Sequence, residues 1–252
     1  MLHAFSRFEM LVGHEAIEKL ERSKVAVFGV GGVGSFVVEG LVRSGVGKFI
    51  LVDDDLVCLT NLNRQLHATR KTIGRPKVEV MKERILEINP KAEVETYQLF
   101  YLPESAGQLL DGEIDYIVDA IDTVTAKLDL VMKAREKGIP IICSMGTGNK
   151  FDPTKLEITD ISKTSIDPLA RVMRKELRDR GITSLKVLFS SEKPSETLEN
   201  GDTSCREGCV CPKGADRKCT DRRSIPGSTA FVPPAAGLII ASEVVKDLIG
   251  RK

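Results

Sequence analysis

The chain has 252 residues, of which 42% are hydrophobic and 29% are charged, and 37 basic residues balance 36 acidic ones to a formal net charge of +1. This composition excludes collagen-like, low-complexity and wholly disordered proteins, and the length suits one or two domains of roughly 150 residues. The balanced charge argues against histone-like coating of nucleic acid, although a local basic patch could still dock one folded RNA.

The two ends of the sequence predict a protein without an export signal or a membrane span. Residues 1–9 include His3, Arg7 and Glu9 and lack an apolar run of signal-peptide length, which predicts a cytoplasmic protein. The most apolar late stretch, residues 230–249, is interrupted by prolines and charges. It is too polar for the roughly 20 apolar residues that a membrane span needs, so we expect a core helix there.

Short apolar runs alternate with helix-length segments through the first 150 residues. Strands are predicted at 24–28, 48–52, 92–100, 114–118 and 139–143, with helices at about 32–44 and 77–88. Strands that alternate with helices predict an α/β fold, here a Rossmann-like, doubly wound and mostly parallel sheet.

After residue 148 the order of elements is less regular. A strand is predicted at 155–160, a helix at 167–180 and another strand at 185–190. Residues 192–228 are rich in Gly, Pro, Ser and charge, which predicts a long loop of the kind that is usually functional or disordered. The fold prediction therefore includes a C-terminal extension with a basic helix and a long cysteine-rich loop.

A glycine-rich motif follows the first predicted strand and opens a helix. It consists of Gly29-Val30-Gly31-Gly32-Val33-Gly34. Glycines in this context permit a tight turn, close approach of a phosphate and packing of helix on strand, while the helix N-terminus favours the anion. Asp53 ends the next predicted strand, where a carboxylate can accept from ribose hydroxyls. The motif and this acid together predict nucleotide binding.

Two cations and a second acid indicate which nucleotide binds. Arg64 and Lys77 would bring positive charge towards phosphates, which suits a triphosphate with Mg²⁺ better than the pyrophosphate and nicotinamide of a dehydrogenase cofactor. Asp122 is expected to close the fourth strand, at the carboxyl edge of the sheet where ligands bind in such folds.

These motifs resemble a known adenylation domain over roughly residues 5 to 148. The glycine motif, Asp53-x-Asp55, Asn61-x-x-Arg64-Gln65, Gly74-x-Pro76-Lys77 and Asp119-x-x-Asp122 resemble the domain shared by ubiquitin-activating enzymes and the molybdopterin and thiamine biosynthesis adenylyltransferases. That family uses ATP to convert a carboxylate into an acyl-adenylate with release of pyrophosphate. The resemblance implies that residues 1–150 form an ATP-binding adenylation domain, with residues 151–252 as a substrate and dimer portion packed on it.

The resemblance also assigns roles to individual residues. Asp122 would hold Mg²⁺ or orient the attacking carboxylate, and Arg7 would reach the phosphates of a partner subunit, which implies a homodimer. The implied catalytic residues are Arg7, Arg64, Lys77 and Asp122. The implied nucleotide-binding residues are Gly29, Gly31, Gly32, Gly34, Asp53, Asp55, Asn61, Arg64, Gln65, Lys77 and Asp122.

The second half of the chain separates the subfamilies. Residues 146–154, 160–164, 167–178, 189–192 and 226–233 closely resemble the tRNA threonylcarbamoyladenosine dehydratases. That family activates the carboxylate of the threonylcarbamoyl group on the adenosine 3′ of the anticodon, then closes it into a cyclic form with loss of water. Two alternatives stay open: a sulfur-carrier adenylyltransferase, whose usual two CxxC pairs do not occur here, and a nucleotide-binding scaffold that recruits a sulfurtransferase.

The predicted helix at 167–180 has one basic and one apolar face. A helical wheel places Leu169, Val172, Met173 and Leu177 opposite four cations, Arg171, Arg174, Lys175 and Arg178. The cations could be an ordinary solvated face, or they could track RNA phosphates and make binding sensitive to salt. With the family resemblance we favour the RNA contact.

Four of the six cysteines cluster late in the chain, at Cys205, Cys209, Cys211 and Cys219. Four thiolates suffice for a tetrahedral zinc site, although the spacing differs from a pair of CxxC motifs. A redox or sulfur-handling loop that serves a cysteine desulfurase or sulfur acceptor protein is the second interpretation, and idle or paired cysteines are the third. Cys58 and Cys143 are predicted to be small buried residues. His67 could approach the phosphates, but we expect a core or surface histidine.

Overall fold

The computed structural model describes residues 2–105, 109–198, 212 and 226–251. Its helices and strands, in chain order, are α1 (Ser6–Val12), α2 (His14–Arg22), β1 (Lys24–Phe28), α3 (Gly34–Arg43), β2 (Lys48–Val52), α4 (Lys77–Ile88), β3 (Glu93–Tyr97), β4 (Tyr116–Asp119), α5 (Val124–Lys137), β5 (Ile141–Ser144), β6 (Leu156–Asp160), α6 (Pro168–Asp179), β7 (Lys186–Ser190) and α7 (Val232–Ile249). Short 3₁₀ turns lie at Leu59–Asn61, Pro103–Ser105, Pro153–Lys155 and Ile161–Lys163.

The strands of the described residues form one seven-stranded sheet in the order β3-β2-β1-β4-β5-β7-β6. Every neighbouring pair is parallel except β6 and β7. The predicted α/β fold with a mostly parallel sheet is confirmed. The chain leaves β1 towards β2 and β3 and later returns to place β4 on the other side of β1, so the strand order reverses between β1 and β4. Ligands of open α/β sheets bind at such a reversal, outside the carboxyl ends of the strands.

Two strand boundaries differ from the prediction because pairing ends where the neighbouring strand ends. β3 stops at Tyr97, opposite Val52 at the end of β2, so residues 98–100 leave the sheet. β4 ends at Asp119, and Asp122 therefore does not close the fourth strand but lies in the segment that follows it. That position moves Asp122 out of the sheet and into the space above its edge.

β1 is buried on both faces, which explains its continuous apolar sequence. Val25 and Val27 join a core with α3, α4 and α7, whereas Ala26 and Phe28 join a second core with α5. A third core packs α6 against β7 through residues such as Met173. The alternation of side chains along one strand thus places helices on both faces of the sheet.

The C-terminal part of the chain adds to the same sheet. β6 and β7 extend one edge, and α7 packs along α3 so closely that a Cβ at Gly40 would lie 2.6 Å from that of Ala241. α7 confirms the core helix predicted at 230–249, with Ala236, Ile240 and Val244 fully buried. No helix within the described ranges is long and apolar enough to cross a membrane.

The cysteines divide as the sequence suggests, as far as the structure describes them. Cys58 and Cys143 are both buried, which confirms that prediction. The four clustered cysteines lie outside the described residues, so the zinc and sulfur-handling interpretations stay predictions. Of the loop predicted at 192–228, residues 192–198, 212 and 226–228 are described and contain no helix or strand.

The tight turn after β1 generates a prediction about stability. A Cβ at Gly34 would collide with the carbonyl oxygen of Gly29, which is backbone and cannot rotate away. We expect Gly34→Ala to lower the free energy of unfolding by about 2 kcal/mol or more, as overpacking does. Gly112→Ala is the matched control because a Cβ there meets open space, and it should change stability by less than about 0.5 kcal/mol. Equal urea midpoints for the two variants would contradict this account of the turn.

Candidate active site

A cavity of about 540 Å³ lies at the carboxyl ends of the central strands, where the strand order reverses. Nine of the predicted nucleotide-binding residues line it together: Gly29, Gly31, Gly32, Asp53, Asp55, Asn61, Arg64, Gln65 and Lys77. Asp122 also lines the cavity, from the segment after β4. Gly34 does not, because its role is to let α3 approach the turn.

The glycine-rich turn is held open by the backbone and by one carboxylate. Gly29 adopts a φ of +87°, which only glycine adopts easily, and a Cβ there would lie 2.7 Å from the carbonyl oxygen of Ala120. The amide nitrogen of Val30 donates to Asp53 Oδ2 at 2.7 Å. The turn is therefore tied to the end of β2, and the N-terminus of α3 faces the cavity.

Asp53 connects the turn to a buried cation. Its second oxygen, Oδ1, accepts from the amide nitrogen of Asp55 at 2.9 Å, and it lies 3.6 Å from Lys77 Nζ. Burial raises the pKa of Asp53, and the Lys77 ammonium opposes that shift. Lys77 Nζ also donates to Asp55 Oδ2 at 2.6 Å and is itself buried at the first residue of α4. The positive charge of the buried lysine thus offsets the negative charges of two carboxylates.

The Asn-x-x-Arg-Gln motif begins at the last residue of a 3₁₀ turn and brings Arg64 beside the glycine-rich turn. Asn61 Oδ1 accepts from the amide nitrogen of Cys58 at 3.0 Å, which shapes that turn. Arg64 Nη1 donates to the carbonyl oxygen of Thr60 at 3.0 Å. A Cβ at Gly32 would lie 3.4 Å from Arg64 Cγ, so the glycine lets the arginine stem lie beside the glycine-rich turn.

His67 is a buried core histidine, the first of the two positions, core or surface, that the sequence left open. Neither ring nitrogen has a hydrogen-bond partner among the described residues, and Gln65 Oε1 has none either. Burial, followed by the Lys77 cation, lowers the pKa of His67 to about 3. The imidazole is therefore neutral at neutral pH and adds no charge beside Lys77.

Several cavity residues escaped the sequence analysis. They lie after β3 and at or just after the end of β5, and they comprise Leu99, Phe100, Tyr101, Ser144, Met145, Gly146, Thr147 and Gly148. The hydroxyl of Tyr101 donates to Asp129 Oδ2 at 2.7 Å, which fixes the ring at the cavity wall. The sequence could have indicated them. Ligands of such sheets bind outside the carboxyl ends of the strands, and this rule, which points to Asp53 after β2, applies equally to the ends of β3 and β5.

A buried ion pair joins two strand ends that border the cavity. Lys127 Nζ contacts Asp119 Oδ2 at 2.9 Å and the carbonyl oxygen of Ser144 at 2.8 Å, joining the ends of β4 and β5. Asp119 is completely buried in this pair, whereas Asp122 is exposed. Of the two acids in the Asp-x-x-Asp motif, only Asp122 is therefore placed to meet a ligand.

Arg7 does not share the cavity of its own chain. It is exposed on α1 and is not among the described residues that line the cavity. Its predicted contact with a nucleotide would have to come from another subunit.

The basic helix is confirmed as α6, but its two faces differ from the helical wheel. Asp167 caps the helix by accepting from the amide nitrogen of Ala170 at 2.8 Å. Met173 and Leu177 are buried, whereas Val172, expected on the apolar face, is 43% exposed. The buried apolar face of α6 is therefore narrower than the helical wheel predicts.

One of the four predicted RNA-binding cations forms hydrogen bonds within its own chain. Arg174 Nη1 donates to the carbonyl oxygens of Thr164, at 2.7 Å, and Ile161, at 3.3 Å. This tether holds α6 to the preceding turn and corrects the expectation that Arg174 lies on the free face. The exposed cations of the helix are Arg171, Lys175 and Arg178.

The profile of the ThiF family matches residues 5–252, nearly the whole chain. The chain belongs to the ThiF family. A ThiF-type relative, the tRNA threonylcarbamoyladenosine dehydratase of Bacillus subtilis (strain 168), is 48% identical over 251 residues, or 99% of this chain and 96% of that protein. The similarity of this ThiF family member to that enzyme therefore includes the C-terminal half.

Two solved structures of the Escherichia coli tRNA N6-threonylcarbamoyladenosine dehydratase share the fold of this ThiF family member. Its complex with AMP superposes with a TM-score of 0.84 and its complex with ATP with a TM-score of 0.82. Each is 31% identical and covers 98% of this chain and 94% of that one. The likeness includes the sheet edge and helices after residue 150.

The buried histidine predicts how stability depends on pH. The pKa of His67 is about 3 in the folded chain and ordinarily 6.5, so the unfolded chain takes up the proton first as pH falls. This contribution to stability is complete above pH 6.5 and is lost towards pH 3, at up to about 1.4 kcal/mol per pH unit. Urea unfolding between pH 7 and 4.5 should show His67→Phe losing less stability than the wild type.

His14→Phe is the control for that comparison. His14 is exposed, and its hydrogen bond to Glu9 raises its pKa, so its removal should not protect the protein at low pH. Parallel stability profiles for the wild type and His67→Phe would contradict a neutral, buried His67.

Proposed function

We propose that this protein uses ATP to cyclise N6-threonylcarbamoyladenosine beside the anticodon of tRNA, a net dehydration that proceeds through adenylation of the threonyl carboxylate. The observation that carries the proposal is the cavity that joins the glycine-rich turn, Arg64, Lys77 and Asp122 to the segments at 146–148 and 226–228. The first group fits an adenine nucleotide, and the second belongs to the half that distinguishes the similar dehydratases. Their AMP and ATP complexes support ATP as the nucleotide.

The chemistry explains why the site needs cations and no protein nucleophile. A carboxylate that attacks the α-phosphate of ATP is an anion approaching an anion, so Arg64 and Lys77 would offset the accumulating charge. Pyrophosphate leaves, and an atom of the carbamoyl group then attacks the activated carbonyl carbon and expels AMP, while an N–H of the carbamoyl group loses its proton. The departing AMP carries one oxygen of the original carboxylate, which accounts for the net loss of water. The protein supplies orientation for both steps.

The acids at the cavity fit a Mg²⁺ ion that accompanies the triphosphate. Asp122 is exposed at the cavity and would hold the ion, which would neutralise negative charge on the triphosphate. Carboxylate oxygens of Asp53, Asp54 and Asp55 approach one another within 4.8 Å. Asp53 and Asp55 are half-buried beside Lys77, whereas Asp122 is exposed at the cavity, which favours Asp122 as the site.

Mass spectrometry of nucleosides tests the function directly. Modified tRNA incubated with the protein, ATP and Mg²⁺ should lose threonylcarbamoyladenosine and gain the cyclic nucleoside. Asp122→Ala should lower the rate by at least about 100-fold because transition-state charge loses its metal contact. Glu113→Ala, which removes an exposed acid outside the cavity, should leave the rate unchanged. Unchanged threonylcarbamoyladenosine would reject the proposal, and pyrophosphate exchange driven by a carrier protein would favour the sulfur-carrier alternative.

We propose that the exposed cations of α6 bind tRNA phosphates. Arg171→Glu/Arg178→Glu should weaken tRNA binding and reduce the slope of log affinity against log salt by about one per lost phosphate contact, while ATP binding is unchanged. Arg135→Glu/Lys137→Glu on α5 makes the same charge change at another exposed surface and is the matched control. Equal losses in both variants would indicate a general charge effect and overturn the assignment.

We propose a homodimer in which Arg7 completes the partner's site. α1 carries Arg7 and exposes two large apolar side chains, Met10 at 86% and Leu11 at 72%, as expected of a surface that another subunit covers. In a refolded mixture of Arg7→Ala and Asp122→Ala chains, half of the dimers would hold one intact site. About a quarter of wild-type activity should return. A mixture as inactive as its two components would show that Arg7 does not act across subunits.

A further inference from the structure

Two phenylalanines lie exposed close to the cavity. Phe151 is 68% and Phe231 is 41% exposed, and their ring centroids are 5.0 Å apart at an interplanar angle of 83°. Each follows a cavity-lining residue by three positions, Phe151 after Gly148 and Phe231 after Ser228. An exposed aromatic pair gains little from burial in the core, so its place beside the cavity points to a ligand.

The backbone beneath Phe151 is held firmly. Its amide nitrogen donates to both carboxylate oxygens of Glu192, at 2.9 and 3.1 Å. The preceding residue, Lys150, forms a buried ion pair with Asp167 at 2.7 Å. These contacts position the residue while its ring extends into solvent.

Phe231 is anchored equally well. Its carbonyl oxygen accepts from the amide nitrogen of Ala235 at 3.0 Å, which fixes it at the start of α7. The two phenylalanine segments are joined by Asn149 and Gly227: Gly227 N donates to Asn149 Oδ1 at 2.6 Å, and Asn149 N donates to Gly227 O at 2.9 Å. The aromatic pair is therefore preorganised, which lowers the entropic cost of binding a flat ligand.

The aromatic pair also adjoins the basic helix. Asp167, the partner of Lys150, is the N-cap of α6, and Leu169 near the start of that helix lines the cavity. The exposed cations of α6 are Arg171, Lys175 and Arg178. Cations that bind phosphates beside aromatic rings that stack on unpaired bases are the combination that recognises single-stranded RNA loops.

We propose that Phe151 and Phe231 form a stacking platform for a base of the anticodon loop that flanks the modified adenosine. This inference rests on the proposed function. A threonylcarbamoyl group can reach the cavity only if its nucleoside leaves the loop stack, which exposes the face of the flanking base. The aromatic pair replaces the stacking that this base loses.

Alanine and tyrosine variants test the platform. Phe151→Ala and Phe231→Ala should each raise the KM for modified tRNA about tenfold, the effect typical of one lost stacking contact, while ATP affinity and the melting temperature stay at wild-type values. Phe151→Tyr and Phe231→Tyr keep the ring and should keep the wild-type KM. Leu86→Ala is the control, because it truncates an exposed apolar side chain on α4.

A fluorescent RNA gives a second readout that needs no turnover. An anticodon stem-loop with 2-aminopurine at the flanking position should lose fluorescence when it binds the wild type, and should lose less with either alanine variant. A wild type that converts tRNA, together with alanine variants that keep wild-type KM and quenching, would overturn the platform and leave the proposed function standing. If the wild type does not convert tRNA but its quenching depends on the two phenylalanines, the proposed function is overturned and the stacking platform stands. Alanine variants that change the sedimentation coefficient but not the quenching would assign the pair to a contact between copies.

Discussion

The site depends on one buried ion cluster at the end of β2. Lys77 lies between the carboxylates of Asp53 and Asp55, and Asp53 in turn accepts from the amide nitrogen of Val30. Three separate segments, the glycine-rich turn, the end of β2 and the start of α4, are thereby held at one point. Removing one partner of a buried pair typically costs about 3–5 kcal/mol because the other charge stays buried without compensation. The cluster thus contributes to the shape of the phosphate-binding turn as much as to its charge.

The position of this cluster follows from the topology of the sheet. Parallel strands direct all of their carboxyl ends to one edge, and the reversal of strand order between β1 and β4 opens a crevice there. The first half of the chain provides the nucleotide side of the crevice. The segments after β5 and before α7 provide the other side, and they meet through the paired hydrogen bonds of Asn149 and Gly227. One cavity can therefore bring a nucleotide and a second substrate together.

Much of this arrangement is predictable from sequence because it is local. Each strand of the parallel sheet is an apolar run bounded by glycine or acid, and the motif residues follow strand ends at short distances. Predictions that depended on neighbouring elements were less accurate. β4 ends at Asp119 rather than at Asp122, Val172 is exposed rather than packed, and Arg174 donates to carbonyl oxygens of the preceding turn. A helical wheel describes one helix alone and contains no information on what packs against it.

The amino-acid sequence alone predicts the α/β order of elements, the glycine-rich turn and residues that meet at the cavity. These features depend on residue type and on spacings within single supersecondary units. Only the tertiary structure decided which cations of α6 face solvent, that His67 is buried and neutral, and that Phe151 and Phe231 meet. Those outcomes depend on contacts between residues far apart in the chain, whose geometry is set by the packing of the whole sheet and its helices.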